Sequence, residues 1–301
     1  MNKLSQATRE IVVRALKGDT TLPFTNELLI ALARESYDEP ERPKTFALEK
    51  VHGEEENSEV AVLVTGGLDS TTLYFRALEM HKGRRIVPVY VYIGQPYFKK
   101  EIEAIQKLGI PVHVDNQKLD FGEQSYWKHI IPGRNLYFLS LTAEHMEGGT
   151  ILFGATEGEI PEQGGDKSEV FLRLVNQLFA QLPYPVTVEA PLRSETKTDL
   201  VKWWVKQGKV EQLRQTISCF TGETRTGHCG SCQACLRKYL AFLNNGLVLE
   251  VDSPDIRVSC AEYIAKYKDL MPKVLKTRDF SHYSRRRCLQ DLRAIRRLES
   301  A

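Results

Sequence analysis

The sequence predicts a doubly wound α/β fold, a parallel sheet wrapped by helices on both faces. Three observations carry that expectation. Residues 60–64, Val-Ala-Val-Leu-Val, form an unbroken apolar run, rich in β-branched side chains, that ends in glycines; this is how a strand buried on both faces reads. Comparable runs recur at residues 86–92, 110–114 and 150–154. Helix-length segments alternate with them, and that alternation gives a parallel sheet with crossover helices.

Taken in order, residues 1–37 read as helical and moderately amphipathic, with Ile11, Leu16, Leu28 and Leu32 among the apolar positions. The acids and prolines of 38–44 and 53–58 read as an exposed linker. The first strand, 60–64, leads into a helix expected from Ser70 to Lys82 and closed by Gly83. In the second strand, 86–92, Pro88 suggests a sheet edge or a strand start. Helices are expected at 97–108, 134–147 and 171–181, with the third and fourth strands at 110–114 and 150–154. The domain reading is thus an N-terminal extension and linker at 1–58, an α/β domain at 59–215, a cysteine-rich segment at 216–245 and a helical basic extension at 246–301.

The bulk numbers exclude little beyond this. The 301 residues, 42% hydrophobic and 27% charged, describe an ordinary globular chain. A net charge of +2 argues for no nucleic-acid partner by itself. No apolar run reaches the roughly 20 residues of a membrane span. The first residues, Met-Asn-Lys-Leu-Ser-Gln-Ala-Thr, lack the apolar core of a secretory signal. A cytosolic protein is therefore expected, where thiols stay reduced.

Thr65-Gly66-Gly67-Leu68-Asp69-Ser70-Thr71 falls between the first strand and the first helix. Its glycines allow a tight turn and close approach of the backbone to an anion. Backbone N–H groups and the helix N-terminus then face phosphates, and Ser70 and Thr71 can add hydroxyl donors. Asp69 repels a phosphate unless it lies near Mg²⁺ or serves as a cap. A bare Gly-Gly pair is usually a turn; the whole heptapeptide after a buried strand is a phosphate site. It lacks the Lys-Ser/Thr ending of a Walker A loop and the third glycine of a dinucleotide fingerprint.

Cys219, Cys229, Cys232 and Cys235 cluster, whereas Cys260 and Cys288 stand apart. Four thiolates at this spacing suit a closed structural Zn²⁺ site. An iron–sulfur cluster also uses closely spaced cysteines, and buried free thiols are the plain alternative.

The loop resembles that of the ATP pyrophosphatase (PP-loop) superfamily, whose members cleave ATP between the α and β phosphates. From about residue 60 to 245 the order of motifs is similar to the 7-cyano-7-deazaguanine (preQ0) synthase family, QueC. The matching segments are Ile93-Gly94-Gln95, Pro132-Gly133-Arg134-Asn135, Gly154 with Glu157, Ala190-Pro191-Leu192 with Lys197, and the cysteine segment. The resemblance implies an adenine nucleotide alpha hydrolase-like fold and adenylation of 7-carboxy-7-deazaguanine. Amidation with ammonia and conversion to the nitrile would follow. It implies Asp69, Ser70 and Lys197 as catalytic residues. Thr65, Gly66, Gly67, Leu68, Asp69, Ser70, Thr71, Arg134 and Gly154 would bind ATP with Mg²⁺. Gln95, Glu157 and Asp166 would bind the substrate, and a homodimer is the usual assembly.

Each residue also has a plainer reading. Arg134 alone is a surface arginine on a Pro-Gly turn, Lys197 a solvated lysine and Glu157 an exposed acid. Residues 157–167 depart from the family's substrate segment, and only Asp166 matches readily. The family's arginine three residues beyond the last cysteine is here Lys238. These departures leave two alternatives open: a relative, for instance in antiviral defence, that joins the activated acid to a protein amine, and a tRNA-modifying PP-loop enzyme. The tail at 284–298 reads as a basic amphipathic helix, solvated or facing a partner.

Overall fold

A computed structural model describes residues 59–95, 97–116, 133–157, 165–183, 185–221, 224–280 and 283–300. The readings of residues 1–58, of Pro132 and of 158–164 fall outside the described residues.

Five parallel strands make one sheet: β1 (Val60–Leu63), β2 (Ile86–Tyr92), β3 (His113–Asn116), β4 (Gly149–Leu152) and β5 (Val186–Glu189). Their order is β3-β2-β1-β4-β5. The alternation along β1 divides the core: Val60, Val62 and Val64 enter one apolar layer and Ala61 the other. The first layer takes Leu73 and Tyr74 of α1 (Leu68–Met80) and Ile105 of α2 (Phe98–Lys107). The second takes Leu139 of α3 (Arg134–Glu144) and Leu172, Val175 and Phe179 of α4 (Glu169–Phe179). Helices thus cover both faces, as a doubly wound sheet requires.

Pro88 does not mark a sheet edge, because β2 is interior and Pro88 pairs with Val62 of β1. The structure accommodates it by offset: β3 pairs with β2 only from Val89 onward. On that side Pro88 has no ladder partner to lack. The third strand begins later than expected, at His113. Ile110 is buried in the turn before it, its N–H donating to the Ile105 carbonyl at 3.1 Å, and Pro111 has no N–H to start a ladder.

β5 escapes a reading based on continuous apolar runs, because only Val186 and Val188 point inward. It is an edge strand, and α4 guards it: Asn176 donates to the Val188 carbonyl at 2.9 Å and accepts from the Val188 N–H at 2.7 Å. Two further helices, α5 (Lys197–Lys206) and α6 (Val210–Gln215), follow β5. Trp204 of α5 is fully buried and donates to Thr72 of α1 at 2.8 Å.

Helix α7 (Gln233–Asn244) is a wall between two cores. Ala241 and Phe242 pack into the first sheet layer, while Leu236 and Leu240 pack into a helical cluster. That cluster is completed by α8 (Ile256–Ser259), α9 (Ala261–Thr277) and α10 (Arg285–Ser300). The tail helix is therefore docked, which corrects the solvated or partner-facing reading. Cys288, Ala294, Ile295 and Leu298 form a buried stripe at helical spacing, and its many arginines obscure that stripe in the sequence. Among the described residues, no helix is long and apolar enough to cross a membrane.

Candidate functional site

The strand order reverses between β1 and β4, and open α/β sheets bind ligands in that crevice. The segment from Thr65 to Thr71 lies there. The Ser70 hydroxyl holds the turn closed, accepting from the Thr65 N–H at 3.1 Å and lying 3.4 Å from the Gly67 carbonyl. Gly67 caps α1 without a side-chain acceptor, so N–H groups of the first turn remain for an anion. From β4, Gly154 presses against the loop; a Cβ there would sit 3.3 Å from the Ser70 nitrogen. Leu68 points away into the core.

Gly66 has a φ of +70°, and a Cβ would meet the Glu101 carbonyl oxygen at 2.9 Å. Gly66→Ala is therefore expected to cost at least about 1–2 kcal/mol from the left-handed backbone alone. A denaturation midpoint equal to that of the wild type would remove this constraint.

The structure brings Lys197 to the loop. Its Nζ lies 2.5 Å from Asp69 Oδ2. Lys197 opens α5, and a reciprocal capping box between Thr196 and Asp199 fixes that turn. Asp69 Oδ1 and Thr71 Oγ1 are buried and make no hydrogen bond among the described residues, and neither does Thr156 Oγ1 beyond β4. Three orphaned acceptors or donors around one crevice mark a place for a polar ligand.

The other expected contacts are distributed differently. Arg134 begins α3 after Gly133; its guanidinium lies 5.8 Å from the Phe138 ring centre, and its buried Nε has no hydrogen-bond partner among the described residues. Asp166 accepts from the Asn135 N–H at 3.2 Å and so caps the same helix. Gln95 is committed to protein: Oε1 accepts from the Ile93 N–H at 2.9 Å, and Nε2 donates to the Tyr90 hydroxyl at 2.6 Å. Glu157 is held by the tail, its Oε2 accepting from Arg286 Nη2 at 2.5 Å and Nε at 3.0 Å. Arg286 also reaches Asp199 at 3.1 Å, and Gln290 accepts from the Thr196 hydroxyl at 2.6 Å. A cavity of about 20 Å³, the size of one water, remains between Thr156, Glu157, Lys197, Arg237, Gln290 and Asp291.

Glu101 went unread in the sequence. The Tyr90 hydroxyl donates to its Oε2 at 2.6 Å. Burial pushes its carboxyl up to about 7, opposed by the Tyr90 hydrogen bond and by the charge of Arg134. Between the ordinary 4.5 and about 7 the folded chain keeps a proton that the unfolded chain releases. Stability should therefore fall as pH rises through that window. Glu101→Gln is expected to flatten this slope in urea titrations at successive pH values; an unchanged slope would place the titration elsewhere.

The four clustered cysteines converge. Cys219 follows α6, Cys229 sits in the turn bounded by Gly227 and Gly230, Cys232 caps α7, and Cys235 lies in its first turn. All four sulfurs lie within 4.8 Å of one another, with Cys229 and Cys235 at 3.9 Å. Backbone N–H groups point at them: Ser231 to Cys229 at 3.3 Å, and Cys235 to Cys232 at 3.4 Å. Such bonds stabilise thiolates, so the donor set fits a metal ion. Cys260 is a separate buried thiol that donates to the Gly230 carbonyl at 3.1 Å, and burial pushes it up to about 11.

Residues 117–246 match the family model described as Queuosine biosynthesis protein QueC. Across that segment the chain resembles the QueC family. The matched segment includes Arg134, Gly154, Glu157, Lys197 and the four cysteines, while the phosphate-type loop lies before it. A 7-cyano-7-deazaguanine synthase of Archaeoglobus fulgidus is 29% identical over 217 residues, 62% of this chain and 86% of that protein. The 7-cyano-7-deazaguanine synthase of Methanothermobacter thermautotrophicus is 36% identical over 116 residues, 37% of this chain and 50% of its own. Among solved structures, the U34-tRNA thiolase NcsA from Methanococcus maripaludis, with its 4Fe-4S cluster, aligns at 15% identity with a TM-score of 0.39. That alignment covers 81% of this chain and 74% of the thiolase. This likeness is too loose to carry an argument. The QueC-like motifs lie at the sheet's carboxyl ends and on α7, while the docked tail lies outside the matched segment.

Proposed function

We propose that the protein is a QueC-like, ATP-dependent carbon–nitrogen ligase that activates 7-carboxy-7-deazaguanine. The observation that supports this most is the Lys197–Asp69 pair at the mouth of the Gly66-Gly67 loop, in a chain that resembles the QueC family over residues 117–246. The loop N–H groups and Ser70 and Thr71 would receive the phosphates of ATP, and Asp69 Oδ1 would face its Mg²⁺. A substrate carboxylate oxygen attacks the α-phosphorus and the bond to pyrophosphate breaks, leaving an acyl-adenylate. Lys197 would offset charge developing on departing pyrophosphate. Ammonia then adds to the acyl carbon and AMP leaves, giving the amide. A second ATP is then opened in the same way: the amide oxygen attacks its α-phosphorus, pyrophosphate leaves, and departure of AMP with loss of both amide protons yields the nitrile.

The four cysteines would hold Zn²⁺ as a structural ion with no open position. Sulfurs within 4.8 Å of one another favour a single ion over a multi-iron cluster, whose bridging atoms must fit between them. The ion would supply folding energy to residues around α7 and no step of the reaction.

The test is pyrophosphate and AMP release from ATP with Mg²⁺, ammonia and the deazaguanine acid, with products identified by mass. No release above the acid-free control would overturn the reading. A second reading keeps the adenylation and passes the acid to a protein amine. The hold of Arg286 on Glu157 favours it, because that acid is then engaged by the tail rather than free for a purine edge. Acid-dependent pyrophosphate release without amide or nitrile, and a mass increment on a protein partner, would distinguish it.

A further inference from the structure

Lys238 is a lysine with no access to solvent, placed between the cysteine cluster and the phosphate-type loop. It is 0% exposed. Its Nζ donates to the Thr216 carbonyl and, at 2.8 Å, reaches the Thr216 hydroxyl; the third contact is His228 Nε2 at 3.0 Å. His228 can accept there because its Nδ1 faces the Thr226 carbonyl at 3.3 Å, which fixes the proton on Nδ1. Three donors thus meet three acceptors, which is what a buried lysine needs.

The acceptors lie on two different structures. His228 precedes Cys229, and Lys238 stands one turn beyond Cys235 on α7. Thr216 precedes Ile217, whose N–H donates to the Gly66 carbonyl at 2.8 Å. The Ile217 carbonyl oxygen in turn lies 3.3 Å from where a Cβ on Gly67 would stand. The side chain of Ile217 packs under Gly227, in the turn that carries Cys229. One strut therefore runs from the thiolate cluster through Lys238 and Thr216–Ile217 to both glycines of the loop.

We infer that Lys238 is a positioning residue that couples the four-cysteine metal site to the geometry of the Gly66–Gly67 loop. This deepens the proposed function, since it makes metal occupancy set the shape of the nucleotide site. Linkage makes the coupling reciprocal: a nucleotide that needs the ordered loop must tighten metal binding by the same factor.

Hydrogen exchange read on peptides spanning 65–72 tests this without any nucleotide, and so independently of the ATP reading. In the wild type, stripping the metal with a chelator should speed exchange in these peptides about tenfold, within the usual range of coupling between sites. Lys238→Met should show the fast exchange with metal still bound, and Lys238→Arg, which keeps charge and donors, should restore slow exchange. Should Lys238→Met fail to hold metal, Thr216→Val removes one acceptor and is expected to give the same change in smaller degree. Metal-loaded Lys238→Met, or Thr216→Val in its place, with wild-type exchange would overturn the inference, as would a wild-type loop indifferent to metal removal. A parallel arm measures zinc affinity by equilibrium competition with a chelator, with and without ATP and Mg²⁺. Tighter zinc binding with ATP in the wild type, lost in Lys238→Met, supports the coupling; tightening retained in full by the variant overturns it.

Discussion

Lys197→Ala is expected to slow pyrophosphate release from ATP by about 10²–10³-fold, the range seen when one preorganised charge-stabilising donor is removed from an active site. Lys197 is held at the first position of α5, with Thr196 and Asp199 closing the turn beneath it. Its Nζ is already 2.5 Å from Asp69, so little reorganisation is needed when charge develops nearby. The loss should fall mainly on kcat, because a donor used at departing pyrophosphate acts more strongly in the transition state than in bound ATP. Lys197→Arg should recover little, since a planar fork cannot replace a compact ammonium in the space beside Asp69. Circular dichroism checks the fold and a coupled pyrophosphate assay reads the rate. Wild-type turnover in Lys197→Ala would remove this residue from the chemistry.

Loss of the metal should have the largest effect on stability. Zinc-finger peptides bind structural zinc with an apparent free energy of about 10–16 kcal/mol at neutral pH, all of it folding free energy; here the sheet layers have cores of their own, so a part of that is expected, concentrated around α7. Cys232→Ser or Cys235→Ser is therefore expected to abolish metal retention and lower Tm sharply. The effect should spread beyond the cysteines, because α7 packs into the sheet layer through Phe242 and into the tail cluster through Leu240. Cys260→Ser and Cys288→Ser are the controls. Both thiols lie outside the converging set, so these variants should keep full metal content by elemental analysis. Retention of metal by Cys232→Ser would break the four-ligand assignment.

Much of the fold was legible because its strands are buried on both faces. β1, β2 and β4 read as apolar runs, and α1, α2 and α3 each end near a glycine. β5 did not read that way, since an edge strand needs only two inward side chains. Pro88 misled because a sequence cannot show that β3 starts too late to need its N–H. At the site, the loop and cysteines were legible because their chemistry forces close spacing. Glu101, Arg286 and Gln290 were not, because each acts through partners more than ten residues away. Gln95 was legible as a motif, and its bonds to Ile93 and Tyr90 were not. The capping box of Thr196 and Asp199 was available as Thr-x-x-Asp and would have located the start of α5.

Asn176 has a consequence for self-association. An exposed parallel edge invites another chain to continue the sheet, and β5 is such an edge. The Asn176 amide occupies the Val188 N–H and carbonyl as a neighbouring strand would. A second molecule could extend the sheet there only by evicting that side chain from both bonds at once. The outer border of β5 is thus sealed against strand exchange by one amide.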